Sequence, residues 1–466
     1  MKHFLYTGFF CMLCINLCFG QQANYNFNNF GNRSILLSGN VTGSVSDLGL
    51  AYYNPARLTQ VKATGFAINA KAYQFTSVSL TDVFGESSKV ANNDFNGVPS
   101  MAGASFNLFG TRFAYSYLTK LDNDTNLNYS TDSISSGLAN MFPKSQDYLG
   151  AYNVKSKIRD EWMGITWAKK IGDKFSVGFT VFGTAYNYTE GNTISHTVVE
   201  EDNSVAFYQK VVGFSQESYG LIFKIGANYN LKKAEIGINI GLPYIGVYDK
   251  AVFSYKNTIS GQGPNKDLFY NYYFDQLEAN RKEPFSFSIG SGIPFNKNKN
   301  KIHLNIDYVS GLSTYQPISI PDIDTGGTDL TVFDFDESRK AVINFGVGVE
   351  FYLKENLKTY AAFSTDYNGF KTKANILDLS NPEYTADNEI SNLLHLSYGI
   401  DWRVKWANLI LGLTYTGGSS EAVIPDDTEP VAYSTAVETQ GKYTRWQFVV
   451  GIEVPFLDKK FKSIAK

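Results

Sequence analysis

After residue 20, this 466-residue chain holds three histidines: His196, His303 and His395. His303 stands four residues before Asp307, and His395 stands two before Ser397. A strand has period two, so each pair shares a face, as a general base and its partner or nucleophile would need. A second feature is the run PDIDTGGTDLTVFDFDES, which carries Asp322, Asp324, Asp329, Asp334, Asp336 and Glu337. Oxygen-rich runs suit Ca²⁺, but this spacing matches no calcium-binding loop, and the run reads as a solvated acidic loop. The three cysteines, Cys11, Cys14 and Cys18, all fall within the first twenty residues. The rest of the chain therefore offers no disulfide framework and no thiolate metal site. No catalytic residue, metal or cofactor is expected, and the chain is not read as an enzyme.

The elements that would position these residues are strands. Net charge is −3, so nothing marks a nucleic-acid surface. Aromatic residues make up 15%, with 31 Tyr, 35 Phe and 40 Gly, a composition that suits sheets and membrane interfaces. Residues 1–20, MKHFLYTGFFCMLCINLCFG, read as a signal peptide cut after Gly20, with Lys2 before an apolar stretch. A lipid anchor on Cys18 is disfavoured by the Ile15-Asn16-Leu17 context. No later run is apolar enough for a membrane helix, which leaves a soluble exported protein or a membrane β-barrel.

Alternation decides between these. In KYTRWQFVVGIEVPF, Trp446, Phe448, Val450, Ile452, Val454 and Phe456 share one face, opposite Tyr443, Arg445, Gln447, Gly451 and Glu453. In KAVINFGVGVEFYL, Ile343, Phe345, Val347, Val349 and Phe351 oppose Asn344, Gly346, Gly348 and Glu350. The same two-facedness recurs around Tyr219–Tyr229 and Leu394–Trp406. Stretches of ten or more alternating residues are long enough to cross a bilayer at a tilt, and the small polar face suits a lumen. Fourteen such strands are predicted, joined in turn by short turns (IGDK, NLKKA, FNKNKNK, LKEN) and by long polar loops at 121–158, 190–215, 250–283, 312–338, 368–391 and 418–441. The predicted fold is all-β: a transmembrane antiparallel barrel of about fourteen strands over residues 61–456, with an N-terminal hatch at 21–60 and a basic tail, LDKKFKSIAK, at 457–466. Its location is the bacterial outer membrane. Residues 271–280, NYYFDQLEAN, sit in a predicted loop and read as an apolar platform or a loop cap.

The hatch stretch is asparagine-rich, then Gly/Ser-rich, and ends in GLAYYNPARLTQ. Its apolar residues, including Leu36, Leu37, Leu50, Tyr52 and Tyr53, imply that it folds against the barrel wall and supplies candidate ligand-lining side chains. The run SGNVTGSVSDLGLAYYNPA, placed before about fourteen strands, resembles the FadL/TodX family of outer-membrane transporters for fatty acids and hydrocarbons. The Asn-rich, aromatic composition looks like a Bacteroidetes-type member. The resemblance implies a hatch ending at Asn54, Pro55 and Ala56, with Asp47 at a position that tends to be acidic. That motif is either a structural corner or part of a gate. The family's third strand is kinked and opens a lateral gap, whereas TRFAYSYLTK here has no internal Gly or Pro.

Two functions follow. In the first, a hatch-gated barrel passes a hydrophobic small molecule, a fatty acid or hydrocarbon, as a monomer surrounded by outer-membrane lipid. In the second, the barrel is a secretion-system shuttle or scaffold whose extracellular loops bind a protein partner. Charges such as Lys224, Asp307, Glu350, Asp401, Arg403, Arg445 and Glu453 are expected to pair across the lumen or with the hatch, because unpaired charge in a plugged interior is costly.

Overall fold

The computed structural model describes residues 24–61, 65–81, 89–131, 145–261, 267–297, 299–324, 337–371, 392–424 and 437–454. The predicted signal peptide, the basic tail and most of the acidic run lie outside these residues. The first described segment holds two short helices, α1 (Asn32–Leu36) and α2 (Leu50–Tyr53), and a 3₁₀ turn at Pro55–Gln60. The strands are β1 (Gly65–Thr81), β2 (Lys89–Leu108), β3 (Thr111–Thr131), β4 (Ser145–Ile171), β5 (Phe175–Glu200), β6 (Val205–Asn230), β7 (Glu235–Gly241), β8 (Ile245–Ser260) and β9 (Leu268–Glu278). They continue with β10 (Ser286–Phe295), β11 (Asn300–Val309), β12 (Leu312–Tyr315), β13 (Glu337–Arg339), β14 (Val342–Lys354), β15 (Leu357–Asp366), β16 (Asn392–Arg403), β17 (Asn408–Ile424) and β18 (Val437–Val454).

Fourteen of these close a barrel in the order β1 to β7, β10, β11 and β14 to β18, with β18 pairing back onto β1. Every pairing is antiparallel; Phe66 faces Val454 where the circle closes. β8 prolongs β7 beyond Leu242-Pro243-Tyr244, and β9 runs into β10 through residues 279–285. Closure of the fourteen-stranded ring pairs most of the wall's backbone from strand to strand, the condition for strands to cross a bilayer. Among the described residues no helix is long and apolar enough to cross one.

The side-chain faces follow the sequence reading. Trp446, Phe448 and Val450 are exposed, and Tyr443, Arg445, Gln447 and Val449 are buried. Ile343 and Phe345 point out, and Asn344 points in. Of the expected lumen charges, Arg403 departs: it sits exposed beside the turn at residues 404–407.

The expected loops at 121–158, 190–215 and 250–283 are largely strand. β4 is 27 residues long, and β5 and β6 are 26 each, against about 9–11 needed to span a bilayer. The reason lies in the face pattern. Along β5 the outward residues begin as Phe175, Val177, Phe179 and Val181 and become Asn187, Thr189, Thr193 and Ser195. The inward residues change the other way, to Tyr186 and Tyr188, both buried. The apolar face thus moves from outside to inside near Gly183. Below that level the strand faces lipid; above it the strand is the wall of a water-exposed vestibule with an apolar lining. A segment that is polar on its outer face reads as loop when only lipid-facing alternation is sought.

Residues 271–280 belong to this upper wall. Tyr272, Phe274 and Leu277 pack inward on a cluster with Tyr186, Phe214, Phe253 and Tyr255. Ile318 and Ile323, from the segment after β12, are buried in the same cluster.

Candidate functional site

Residues 24–61 fill the lower lumen. Phe30, Ile35, Leu36, Leu37, Leu50 and Leu58 are at most 1% exposed and form a core with wall residues such as Leu118, Trp162, Phe182 and Ile222. The small residues of the lumen face are the sockets. A methyl group at Gly237 would lie 1.9 Å from the Thr42 carbonyl oxygen, and one at Gly226 would lie 2.3 Å from Asn54 Oδ1. Leu36 presses on Gly399 and Gly412, and Leu37 on Gly348. The glycine-rich inner face therefore admits backbone and side chains of the segment at distances a Cβ would forbid.

Asn54 donates from Nδ2 to Thr42 O at 2.7 Å and to Ala227 O on β6 at 3.1 Å. Its Oδ1 accepts from Ala56 N–H at 3.2 Å, capping the 3₁₀ turn whose first residue is Pro55. Asp47 accepts from the N–H groups of Arg33 (2.7 Å), Ser34 (2.8 Å) and Gly49 (3.0 Å) and from Ser34 Oγ (2.9 Å). It thus supplies the N-terminal partners of α1. Arg33 donates to Asp401 at 2.6 Å and Glu453 at 2.9 Å, and Arg57 to Glu235 at 2.8 Å and Asn228 at 2.6 Å. The two arginines, which the sequence reading did not single out, tie the segment to β16, β18, β7 and β6.

The histidine pairs are not brought together for catalysis. His303 Nδ1 meets Ser44 Oγ, and His303 Nε2 lies 3.7 Å from Glu350. Asp307 instead accepts from Asn305 Nδ2 at 2.8 Å. His395 Nδ1 meets Thr416 Oγ1 at 2.9 Å, while Ser397 Oγ donates to Leu36 O at 2.8 Å.

Above the segment lies a chamber with about 70 Å³ of free space, nearly closed in this state. Tyr52 and Tyr53 line it, with Trp162, Ile222, Leu242 and Val309 as apolar wall. Leu36, Leu37 and Leu50 do not reach it; they serve as packing inside the segment and its sockets. Tyr53 is held by donating to Asn29 Oδ1 at 2.9 Å and accepting from Phe30 N–H at 3.1 Å. Tyr52 carries two cations over its ring, Lys224 Nζ at 4.2 Å from the centroid and Lys120 Nζ at 5.5 Å. Both lysines are at least nine-tenths buried. The carboxylates at the chamber have other partners: Glu283 lies 3.5 Å from Arg281, and Asp307 is engaged by Asn305.

The wall beside the chamber is split. β2 and β3 pair only from Leu108↔Thr111 to Met101↔Leu118, and above that point their described residues form no ladder with each other. β3 runs continuously from Thr111 to Thr131, as its sequence implies, but its register shifts at Lys120, between Thr119 and Leu121. The break comes from β2, where Pro99 can give no backbone donor and Gly97 weakens the strand. Residues 25–29 cover the split from inside. Asn28 Nδ2 donates to Lys120 O at 3.1 Å, Lys120 Nζ to Tyr25 O at 2.7 Å, and Ser100 Oγ to Asn29 O at 3.0 Å. Lys71 and Arg445 both donate to Asn28 Oδ1, at 2.6 and 3.1 Å.

The architecture is that of a fourteen-stranded membrane-spanning barrel with its N-terminal segment folded inside. Solved structures share that fold across nearly the whole chain. A FadL homologue from Pseudomonas aeruginosa aligns with a TM-score of 0.59 at 10% identity, covering 94% of this chain and 99% of its own. The Pseudomonas putida toluene transporter TodX aligns with a TM-score of 0.59 at 11% identity, covering 92% and 98%. The Ralstonia pickettii toluene transporter TbuX gives 0.52 at 12%, covering 92% and 99%. No family model matches the sequence, and no curated protein matches it either.

Proposed function

We propose that this protein is an outer-membrane transporter for long-chain amphipaths with an anionic head, the fatty-acid class, and that residues 24–61 are its hatch. The observation that carries the reading is the pair of buried lysines, Lys120 and Lys224, converging on Tyr52 in a chamber that also presents an apolar strip of Trp162, Ile222, Leu242 and Val309. Among the described residues neither ammonium group has a carboxylate at ion-pair distance; Glu283 and Asp307 line the same chamber farther off, so burying both lysines costs stability that a guest's charge would offset. A carboxylate head between them, with its chain along Trp162, Ile222 and Leu242, meets that need; a neutral aromatic hydrocarbon does not. The apolar vestibule above the chamber offers the same molecule a first resting place. The neighbouring folds, a FadL homologue and two toluene transporters by name, are consistent with passage of a hydrophobic molecule, and Asn54, Pro55, Ala56 and Asp47 act as the fixed frame of the hatch.

The test is equilibrium binding to purified protein with radiolabelled oleate and, separately, toluene. Replacing both Lys120 and Lys224 by Met is expected to weaken oleate binding by at least about tenfold, the loss of one charge-assisted contact of about 1.4 kcal/mol or more, and to leave toluene binding unchanged. Equal weakening of both ligands, or no oleate binding by the native chain, overturns the reading.

A further inference from the structure

On its outer face the wall carries a groove of about 630 Å³, whose sides include Val347, Val349, Ala361, Phe363, Leu396 and Tyr398. The strand register explains it. Ala361 of β15 pairs with Val349 of β14 on one side and with Tyr398 of β16 on the other. Tyr398 is exposed, so a single methyl group stands between two larger side chains. One outward row below, Thr359 stands between Phe351 and Ile400 in the same way. Its hydroxyl donates to the Gly399 carbonyl oxygen at 3.0 Å, so it asks for no other partner. One outward row above, Phe363 lies between Val347 and Leu396 and closes the upper end. The small outward residues of β15 thus leave an apolar trough that runs down the strand. In a lipid-facing wall such a trough takes up hydrocarbon, because its sides otherwise lose their packing contacts.

The foot of the trough is cationic. β15 begins at Leu357, about 13 Å of strand below Ala361, which is most of the depth of one leaflet's hydrocarbon, about 15 Å. Just outside lies the turn Lys354-Glu355-Asn356, and the turn after β16 is tied to it by the Arg403 N–H bond to Asn356 O at 2.8 Å. Lys354, Arg403 and Lys405 are all exposed, and Glu355 is the one carboxylate in the two turns. On the other flank Lys299 lies over Tyr352, its Nζ 5.2 Å from the ring centroid. Other charges at this level are engaged: Lys358 with Glu350, and Asp401 and Glu453 with Arg33. The exposed Trp402 and Trp406 mark the headgroup level, and the short turns mark it as the periplasmic side. The whole chain has a net charge of −3, so this positive cluster is local and not a general basicity.

We propose that the trough along β15 is a binding site for one anionic phospholipid of the periplasmic leaflet, with an acyl chain against Ala361 and Thr359 and the phosphate head among Lys354, Arg403 and Lys405. A zwitterionic lipid offers the same chain but no net charge to these cations, so the site selects by head group. It is independent of what passes through the lumen. The test is native mass spectrometry of the purified protein in detergent, titrated with dioleoyl-phosphatidylglycerol and, separately, dioleoyl-phosphatidylcholine. The native chain should retain one phosphatidylglycerol about tenfold or more tightly than phosphatidylcholine. Lys354→Gln, Arg403→Gln and Lys405→Gln together should abolish that preference. Ala361→Phe, which fills the trough and leaves the charges in place, should remove the tightly held phosphatidylglycerol. Lys169→Gln, Lys170→Gln and Lys174→Gln take three exposed cations from the turn between β4 and β5, away from the trough, and should leave it bound. All three variants should keep the heat-modifiable migration of a folded barrel, since none of these side chains packs in the lumen. Equal retention of the two lipids by the native chain overturns the site. So does an equal loss in the two charge variants, which would mean a diffuse basic collar. Phosphatidylglycerol binding that needs Lys354, Arg403 and Lys405 but ignores Ala361→Phe would leave those cations to an acidic soluble partner, and the lipid site falls.

Discussion

Asp47 shows how a short polar residue can hold a segment that has almost no regular structure. The helix it caps has five residues, too few to persist by itself. Four donors converge on its carboxylate, and the residue is 2% exposed. Asp47→Ala leaves those donors buried and unpaired, at a cost of about 1–3 kcal/mol each if none finds water. The expected outcome is a hatch that loosens within an intact wall. In the inserted protein, protease cleavage between residues 24 and 61 should accelerate, while heat-modifiable migration of the barrel on gels stays as in wild type. Cleavage at the native rate would show that the cap is dispensable. The importance of Asp47 was visible in the sequence only through its place before the Asn-Pro-Ala run. Its partners lie 2 to 14 positions away in a segment with no periodic pattern to mark them, and the tie from Arg33 to Asp401 and Glu453 spans more than 360 positions, which no local pattern encodes.

Strands are where the sequence was most legible, because period two is a local property. Phe345 and Val450 were placed on the lipid face and Asn344 and Gly451 on the lumen face by alternation alone, and the exposures agree. Two things were hidden. The upper halves of β4, β5 and β6 carry their apolar residues inward, so a search for lipid-facing alternation passed over them. The lumen glycines, legible only as small residues of a lumen face, are sockets filled by residues 24–61. That second point changes what a substitution should do. Phe345→Arg places a charge in lipid and should destabilise the barrel by about 2–4 kcal/mol near the midplane, read as a lower unfolding midpoint in denaturant. By alternation alone, Gly451→Arg should be better tolerated, solvated in the lumen apart from any steric clash. A Cβ there already meets Asn32 Oδ1 at 2.8 Å, so the arginine should evict the hatch and leave the wall folded. The pair separates on two readouts: Phe345→Arg lowers the midpoint, and Gly451→Arg exposes residues 24–61 to protease. An unchanged midpoint for Phe345→Arg would mean that this face does not meet lipid.

At the scale of the whole molecule, the lumen is obstructed twice in series. The lower obstruction is the hatch; the upper is the layer in which Arg281 meets Asp160, between the chamber and the vestibule capped by Ile318 and Ile323. A fourteen-stranded barrel is too wide for its own side chains to fill, since about eight strands is the size that closes on itself. The lower obstruction is an inserted segment, the upper is a side-chain pair between β4 and residues 279–285, and neither supplies the ladder bonds that hold the wall. Deleting residues 21–50 should leave a barrel that still inserts, and single-channel conductance should rise modestly, because the upper layer still narrows the path. Adding Arg281→Met frees that layer, and conductance should then rise several-fold beyond the deletion alone, as expected when the second of two barriers in series is removed. Arg281→Met by itself should change conductance little, because the hatch remains. The order of conductance among the four proteins is the test. If the combined variant conducts no more than the intact protein, residues 21–50 do not plug the bore, and a path that bypasses both obstructions must carry whatever the barrel passes.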